Sequence, residues 1–313
     1  MKQEFDIDMV YLWVNGNDPK WIEKRKTCIG DLSRKEENCE GRYVDNDELK
    51  YSLRSLEKNA PWIRKIFIVT DNQVPAWIDT LNPKIQIVDH TEILPPESLP
   101  CFNSVVIEHH LYRIPGLAEH FLYANDDMYI NRPVTPNFFF GQDSLPIVRF
   151  NFRAFKQLNF WYKTKVLGKT INNYKETIHN AALLVKRKYG TYYSSKTHHN
   201  IDAYIKRDFQ HTREVFDKDI RGTLCNHVRS QTDIQRNIYS YVALAEKRGH
   251  LHYVTQRTSF RLHIDNRKLY SKFKRYNPIL FCMNDSQYAN AEDRKYAIAF
   301  VKELFPDKSK FEK

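Results

Sequence analysis

Short apolar runs alternate with amphipathic segments through the first half of the chain, a pattern that predicts strands separated by helices. The predicted strands cover residues 5–14, 63–71, 84–90 and 120–126. The predicted helices cover residues 45–59, a short stretch within 75–81 and residues 104–113. Strands and helices that alternate at this pace favour an α/β domain with a largely parallel sheet.

The segment 45–59 shows the helical pattern through its leucines. Leu49, Leu53 and Leu56 recur at helical spacing. Asp45 or Asn46 is a candidate N-cap, because a short polar side chain there can accept a hydrogen bond from the first helical turn.

The pattern loosens after Pro146. Residues 147–200 are rich in Asn, Lys, Tyr and Thr, and the later predicted helices cover residues 200–222, 231–249 and 291–305. No internal repeat and no firm linker is visible. We therefore predict an α/β core over residues 1–145 and a mixed, mainly helical part over residues 146–313 that completes the same domain and its site.

Polar residues follow the predicted strands at the point where each strand ends. They are Asn15, Asp18, Asp71, Asn72, His90, Asp126 and Asp127. In open α/β sheets, ligands bind beyond the carboxyl ends of the strands. These strand ends therefore predict a single crevice lined by polar groups.

Asp126 and Asp127 follow the apolar run FLYAN and form a candidate metal site. Adjacent carboxylates repel each other, and a divalent cation such as Mg²⁺, which prefers carboxylate oxygen, would remove that repulsion. The alternative is a turn acid or a helix N-cap. The preceding apolar run favours the metal site, because a buried strand delivers the pair to the edge of the sheet.

Three further groups have both a chemical and a structural interpretation. Asp8, inside the first apolar run, is a ligand, a base or a salt-bridged edge acid. His198 and His199 offer an imidazole as general base, although such a pair is common on surfaces and in cores. Arg229 and Asp233 are spaced by one helical turn, which suits a helix-face ion pair or an Arg fork on phosphate oriented by a carboxylate.

Charge narrows the class of partner. The chain has 313 residues and a formal net charge of +11, so we expect an anionic partner. Nucleic acid, nucleotide phosphates, an anionic membrane surface and acidic polysaccharide all qualify. The sequence contains no GxxxxGK[ST], GxGxxG or GxSxG motif, which removes the usual signatures of P-loop ATPases, Rossmann dehydrogenases and serine hydrolases.

Three observations predict the cellular compartment of the protein. The five cysteines are scattered without a CxxC pair, which argues against a disulfide framework or a zinc ribbon. No run approaches the roughly 18 apolar residues of a membrane span, and the amino terminus has no signal-peptide layout. We therefore expect a cytoplasmic protein.

The first half of the chain contains two long motifs. One is DIDMVYLWVNGND, and the other is RYVDNDELKYSLRSLEKNAPWIRKIFIVTDNQVPAW, continued by LPCFNSVVIEHHLYRIPGL and FLYANDDMYI. They resemble the first and second conserved blocks of the Stealth family of sugar-1-phosphate transferases. THHNIDAYIKRDF and VRSQTDIQRNIYSYVAL resemble the third block, and LFCMNDS the fourth. Residues 140–195 match least.

The resemblance implies an α/β fold with a Rossmann-like, GT-A-like core that binds a nucleotide sugar and a metal, and a helical C-terminal portion. By motif position, the candidate catalytic residues are Asp8, Asp127, His199 and Arg229. The candidate metal ligands are Asp126, Asp127 and Asp285. The candidate substrate-binding residues are Asn15, Arg42, Asp45, Arg54, Asn72, Asn103, Asn125, His198, Asp233 and Asn284. Many members have a proline near the third-block histidine; here HHNID stands there, and we favour His199 over His198.

The resemblance also implies a reaction. A hexose or N-acetylhexosamine 1-phosphate passes from a UDP-sugar to a hydroxyl of an acceptor glycan with Mg²⁺ or Mn²⁺, leaving a phosphodiester and UMP, in synthesis of bacterial capsule or cell-surface polysaccharide. Nucleic acid is not an expected partner. A lipid-linked acceptor would bring the chain to the inner face of the plasma membrane. The alternatives are a metal-dependent glycosyltransferase that releases UDP, and a basic protein that only binds carbohydrate or nucleic acid.

Overall fold

A computed structural model of the chain describes residues 5–29, 43–153, 155–168 and 173–313. Its strands are β1 Ile7–Leu12, β2 Ile66–Thr70, β3 Ile85–Asp89, β4 His120–Asn125, β5 Met128–Ile130, β6 Ile147–Asn151, β7 Lys196–Thr197, β8 Asp202–Ile205, β9 His250–Tyr253, β10 Ser259–His263 and β11 Leu280–Asn284. Its α-helices are α1 Pro19–Ile29, α2 Glu48–Asn59, α3 His90–Ile93, α4 Ser104–Glu108, α5 Lys156–Trp161, α6 Asn173–Tyr189, α7 Lys206–Val215, α8 Asp217–Arg221, α9 Asn237–Ala245, α10 Arg267–Tyr276 and α11 Ala291–Leu304. Arg42, a predicted substrate-binding residue, lies outside the described residues.

The main sheet has the strand order β3-β2-β1-β4-β8. The first four strands are parallel and β8 adds an antiparallel edge. The predictions of an α/β fold and a mostly parallel, Rossmann-like sheet are confirmed, and the four strands predicted in the first half all form. β8 comes from the second half of the chain, so this sheet extends across the predicted boundary at residue 145.

Apolar side chains cover both faces of the main sheet, which explains the nearly continuous apolar runs of its strands. Val10 and Tyr123 lie in a core packed under α4, α6 and α9. Met9 and Tyr11 point to the other face and pack with the leucines of α2. The sheet is therefore buried between two layers. A ligand can reach it at the carboxyl ends of its strands.

A second sheet, with the order β10-β11-β5, is joined to the first by a very short link. β4 ends at Asn125 and β5 begins at Met128, so only Asp126 and Asp127 separate them. β5 pairs antiparallel with β11, whose Cys282 lies opposite Met128. The acid pair thus occupies the turn at which the two sheets meet.

Tertiary contacts override local sequence preference in several places. Residues 75–81 form turns and no helix, because the backbone near Ile78 pairs with the C-terminal tail around Glu312. Residues 202–205 of the predicted helix over 200–222 are strand β8, because they complete the edge of the main sheet.

Helix starts also differ from the prediction. α2 begins at Glu48, and its N-cap position is Asp47 in the left-handed region, without a side-chain cap. Asp45, one of the predicted caps, instead accepts a hydrogen bond from the Asp47 backbone amide. The helix predicted over 231–249 begins only at Asn237. No helix in the described ranges combines the length and the apolar character that crossing a bilayer requires.

Asp8 is a structural acid, which corrects its prediction as a catalytic residue. It lies at the amino end of β1, away from the carboxyl edge, and it is fully buried. Its carboxylate accepts hydrogen bonds from Arg64 Nε at 2.8 Å and Nη2 at 2.5 Å. The backbone amides of Lys65 and Ala118 donate to it at 3.1 and 2.7 Å. A carboxylate inside a strand needs such partners, and here they leave it no role at the site.

We expect Asp8→Ala to lower the free energy of unfolding by about 3 kcal/mol, because it removes the ion pair with the half-buried Arg64 and leaves two backbone amides without their acceptor. The midpoint of urea denaturation measures this loss. Asp6→Ala is the matched control, since the Asp6 carboxylate is 70% exposed and only 3.7 Å from the same Arg64. It should change stability by less than about 0.5 kcal/mol. A stable but inactive Asp8→Ala protein would contradict the structural role.

Candidate active site

A cavity of about 560 Å³ lies at the carboxyl ends of β1, β2 and β4. On the side of the main sheet it is lined by Leu12, Trp13, Val69, His90, Asn125, Asp126 and Asp127. The opposite wall comes from the second half of the chain and includes Tyr174, Lys175, Lys196, His199, Arg229, Arg261, Asn284 and Asp285. Both halves of the sequence therefore contribute to one site.

Asp127 reaches the cavity from the turn between β4 and β5. Its Oδ2 accepts a hydrogen bond from the Cys282 thiol at 3.1 Å, and its backbone oxygen accepts one from Met283 at 2.9 Å. Its Oδ1 is buried and has no hydrogen-bond partner among the described residues. Burial raises the pKa of Asp127 to about 6, and burial together with the neighbouring Asp127 charge raises the pKa of Asp126.

His199 approaches Asp127 from the loop between β7 and β8. Its backbone adopts a left-handed conformation with φ 55°, so its side chain and that of His198 point in different directions. Burial, followed by the charge of Arg261, lowers the pKa of His199. The imidazole is therefore neutral, the form that accepts a proton or binds a metal.

The cavity also contains a donor set that suits a cation. Asp127, His199 and Cys282 each offer one ligand atom, and these three atoms lie within 4.8 Å of one another. The partnerless Oδ1 of Asp127 is the type of buried atom that a cation would satisfy. Asp126 adds a second carboxylate at the same turn. The residues fit a divalent cation.

Arg229 is held in place by a network that includes Asn103 and Asp233. The Asn103 amide donates to the Asp233 carboxylate at 2.9 Å and to the backbone oxygens of Asn226 and Val228. Asp233 also accepts from the Ser230 amide at 2.9 Å. These bonds fix the loop that carries Arg229, so Asn103 and Asp233 position the arginine and do not line the cavity.

Arg229 itself donates to Ser104 Oγ at 2.7 Å, at the start of α4. The segment around it is not helical. Arg229 and Asp233 are therefore not one turn apart on a helix, as the sequence predicted. The Asp233 carboxylate instead accepts hydrogen bonds that hold the loop carrying Arg229.

The fourth motif contributes Asn284 and Asp285 to the cavity wall. Asn284 Oδ1 accepts from Arg261 Nε at 2.8 Å and so orients that guanidinium. The Asp285 carboxylate accepts from Arg294 Nε at 2.7 Å and from the Ser286 amide at 2.6 Å. Because Arg294 already neutralises Asp285, the turn at Asp126 and Asp127 is the better cation site.

Several predicted substrate-binding residues stand outside the cavity lining. Arg54 ties α2 to the C-terminal tail through Glu312, at 2.7 Å. Asn15 exchanges backbone hydrogen bonds with the Gln73 side chain. Asn72 is exposed, and its backbone amide donates to Asp89.

His198 and Asp45 also lie outside the lining. His198 is buried behind it, with Nε2 3.3 Å from an Asp202 oxygen. Asp202 in turn pairs with Arg236 at 2.6 Å. This buried network anchors the loop that presents His199. Asp45 is half-buried beside the cavity, near Tyr43 and Val44 of its wall.

Sequence reasoning missed Arg261, Lys196 and Cys282, which all line or contact the cavity. Arg261 carried a usable signal, because its charged side chain stands between Phe260 and Leu262 in a short run that predicts a strand. Cys282 carried none, since a single cysteine inside an apolar run is typical of a core strand.

The sequence matches two conserved regions of known proteins. Residues 5–33 match Stealth protein CR1, conserved region 1, and residues 42–148 match Stealth protein CR2, conserved region 2. Asn125, Asp126 and Asp127 fall within the second region.

Relatives are similar over different lengths. An exopolysaccharide phosphotransferase of Streptomyces coelicolor is 53% identical over 137 residues, which is 44% of this chain and 23% of the relative. A capsular polysaccharide phosphotransferase of Neisseria meningitidis serogroup B is 32% identical over 314 residues, which is 95% of this chain and 81% of the relative. Among solved structures, the galactosyltransferase LgtC in complex with donor and acceptor sugar analogues is similar over 96% of this chain, with 10% identity and a TM-score of 0.45.

The motifs quoted from the sequence predict the family, and the comparisons confirm it. Both conserved regions match, and the meningococcal relative is similar along nearly the whole chain. The chain belongs to the Stealth protein family.

Proposed function

We propose that this chain transfers a sugar 1-phosphate from a UDP-sugar to a hydroxyl of an acceptor glycan, forming a phosphodiester and releasing UMP. One observation carries the proposal. A single cavity brings together an acid pair, a neutral histidine and an arginine from three separate parts of the sequence. The names of the relatives, polysaccharide phosphotransferases, support the same class of reaction.

The size and lining of the cavity suit a nucleotide sugar. A volume of about 560 Å³ lies within the usual range of small-molecule pockets. Trp13, Trp21, Tyr43, Phe102 and Tyr174 supply aromatic surface for a base or a sugar ring. Cationic side chains on the opposite wall supply charge for a diphosphate.

The reaction breaks one bond and forms another at the β-phosphorus of the donor. The acceptor oxygen attacks that phosphorus, and the bond to the oxygen bridging the two phosphates breaks, so UMP leaves with the bridging oxygen. Arg229 binds the phosphate under attack, and His199 takes the proton of the acceptor hydroxyl. Positioning and charge neutralisation account for most of the catalysis of phosphoryl transfer, so no covalent nucleophile is needed.

Asp126 and Asp127 would hold a divalent cation, Mg²⁺ or Mn²⁺. When bound, it supplies positive charge that neutralises the donor diphosphate. His199 is close enough to Asp127 to serve as a ligand as well, and we assign it the base role because carboxylate oxygens suffice for a hard cation.

The acceptor and the location complete the proposal. The acceptor is a bacterial capsular or cell-surface glycan, with a lipid-linked form as the substrate at the membrane. The net charge of +11 favours residence at the anionic inner face of the plasma membrane.

The released nucleotide tests the reaction. We expect UMP when the protein is incubated with Mg²⁺, a UDP-hexose or UDP-N-acetylhexosamine and a bacterial glycan acceptor, with nucleotides separated by chromatography. Asp127→Ala should lower the rate by about 100- to 1000-fold, since it removes charge stabilisation from the transition state. Asp143→Ala, at an exposed acid outside the cavity lining, is the control. Release of UDP would instead indicate attack at the sugar carbon and an ordinary glycosyltransferase.

The affinity for Mn²⁺ tests whether the cation is bound by the Asp127 carboxylate or by the Cys282 thiol. We expect Asp127→Asn to weaken Mn²⁺ binding by at least about tenfold, measured by electron paramagnetic resonance, because Mn²⁺ prefers carboxylate oxygen. Cys282→Ser should stay within about threefold of the parent for the same reason. Cys101→Ser, at a second buried thiol of the cavity wall, controls for packing. A larger loss for Cys282→Ser than for Asp127→Asn would point to a softer metal.

Arg229 is expected to act on the donor phosphate. Arg229→Gln should lower kcat/KM for the UDP-sugar by about 10- to 100-fold, since a hydrogen bond to a charged group is lost. Arg187→Gln changes an exposed arginine on α6 and should leave kcat/KM unchanged. Unchanged kinetics of Arg229→Gln would remove this residue from the phosphate site.

A further inference from the structure

Exposed apolar side chains concentrate in one segment of the surface. Of the thirteen large apolar side chains that are exposed in the described part of the chain, seven lie between residues 152 and 167. They are Phe152, Phe155, Leu158, Trp161, Tyr162, Val166 and Leu167, and we call them the 152–167 patch. Exposed apolar groups are normal when scattered, but a contiguous set marks an interaction surface.

The patch is carried by a helical segment with two distinct faces. Gln157, Phe160 and Thr164, at helical spacing, are the partly buried positions. Phe160 stacks on His179 of α6 with ring centroids 3.8 Å apart, and Gln157 accepts a hydrogen bond from Lys186 of α6. One face of the segment therefore packs on α6. The exposed apolar side chains lie on the opposite face and point to solvent.

The charges in the segment are all positive. Between residues 152 and 168 the ionisable side chains are Arg153, Lys156, Lys163 and Lys165, with no Asp or Glu. Lys163 and Lys165 are exposed among the apolar positions. Trp, Tyr and Phe interleaved with lysines on one helix are typical of segments that lie in the interfacial region of a bilayer.

A neighbouring strand extends the same surface. Tyr253 and Leu251 of β9 are exposed, and the Tyr253 ring packs edge-on against Phe152 at 5.2 Å.

The 152–167 patch is followed along the chain by α6, whose first turn contributes Tyr174 and Lys175 to the cavity wall. The surface is thus connected through one helix to the site of the proposed transfer.

We infer that the 152–167 patch docks on the anionic surface of a phospholipid bilayer. This rests on the membrane location proposed above and names the part of the molecule that makes the contact. Apolar side chains enter the interfacial region while Lys163 and Lys165 bind lipid phosphates. Docking through this segment holds the cavity next to an acceptor whose lipid anchor lies in the same bilayer.

Vesicle cosedimentation tests the inference with the full chain. We expect the protein to sediment with vesicles of phosphatidylglycerol and phosphatidylcholine, and at least about tenfold less with pure phosphatidylcholine. Leu158→Ser/Trp161→Ser should lower the partition coefficient on anionic vesicles by at least about tenfold, because apolar insertion is lost. Val74→Ser/Leu81→Ser removes two apolar side chains that are as exposed as the first pair, and should leave it unchanged.

Trp161 provides a direct probe of insertion. It is 54% exposed, whereas Trp13 and Trp21 are buried. Brominated lipids should quench the parent protein, and Trp161→Phe should remove most of that quenching. UMP release to a soluble acceptor, measured on the same variants, should be unchanged, so failure of docking is separable from failure of the transfer reaction.

Three outcomes would overturn the inference. Equal binding of the patch variant and the parent would place membrane contact elsewhere on the chain. Equal binding to neutral and anionic vesicles would remove the role of the lysines. Absence of vesicle binding, together with a dimer that the patch variant dissociates in analytical ultracentrifugation, would identify a second copy of the chain as the occupant.

Discussion

The two-residue turn between β4 and β5 is the constraint on which the site depends. β4 is hydrogen-bonded on both sides within the main sheet, and β5 is paired with β11 in the second sheet. Neither strand is free to move, so Asp126 and Asp127 are held side by side at the junction. Burial raises the pKa of both carboxyls, and the charge of Asp127 raises that of Asp126 further. A bound proton or a cation relieves that strain, and the sheets fix where it must sit.

The cavity separates opposite charges across this junction. The acids lie at the end of the main sheet, whereas Arg229, Arg261 and Lys196 come from the second half of the chain. A diphosphate with its metal needs this arrangement, because the cation requires carboxylate oxygen and the phosphate oxygens require cationic donors. His199 lies close to Asp127, and burial, followed by the charge of Arg261, keeps its imidazole neutral. The acid pair of the first half therefore faces three cationic side chains of the second half across one cavity.

The sequence predicted the structural elements that depend on a few neighbouring residues. Buried parallel strands, the leucine face of α2 and the acid pair behind an apolar run all leave patterns in a few consecutive residues. The catalytic role predicted for Asp8 is not what the structure shows, because a carboxylate inside a strand looks the same in sequence whether it meets Arg64 or a ligand. The choice between His198 and His199 depends on a single backbone angle. Cys282 joins the site only through pairing of β11 with β5, which joins residues more than 150 positions apart.

The way this fold treats its buried acids separates structural from chemical roles. Asp8 and Asp202 each meet an arginine at 2.5 and 2.6 Å, so their burial is compensated within the chain. Asp127 is also buried in its Oδ1, yet that atom has no hydrogen-bond partner among the described residues. Unlike Asp8 and Asp202, Asp127 forms no ion pair with a cationic side chain of the described residues, so a cation from outside the chain can compensate its charge. The uncompensated carboxylate, more than the mere presence of two adjacent acids, is the physical reason to place a cation there.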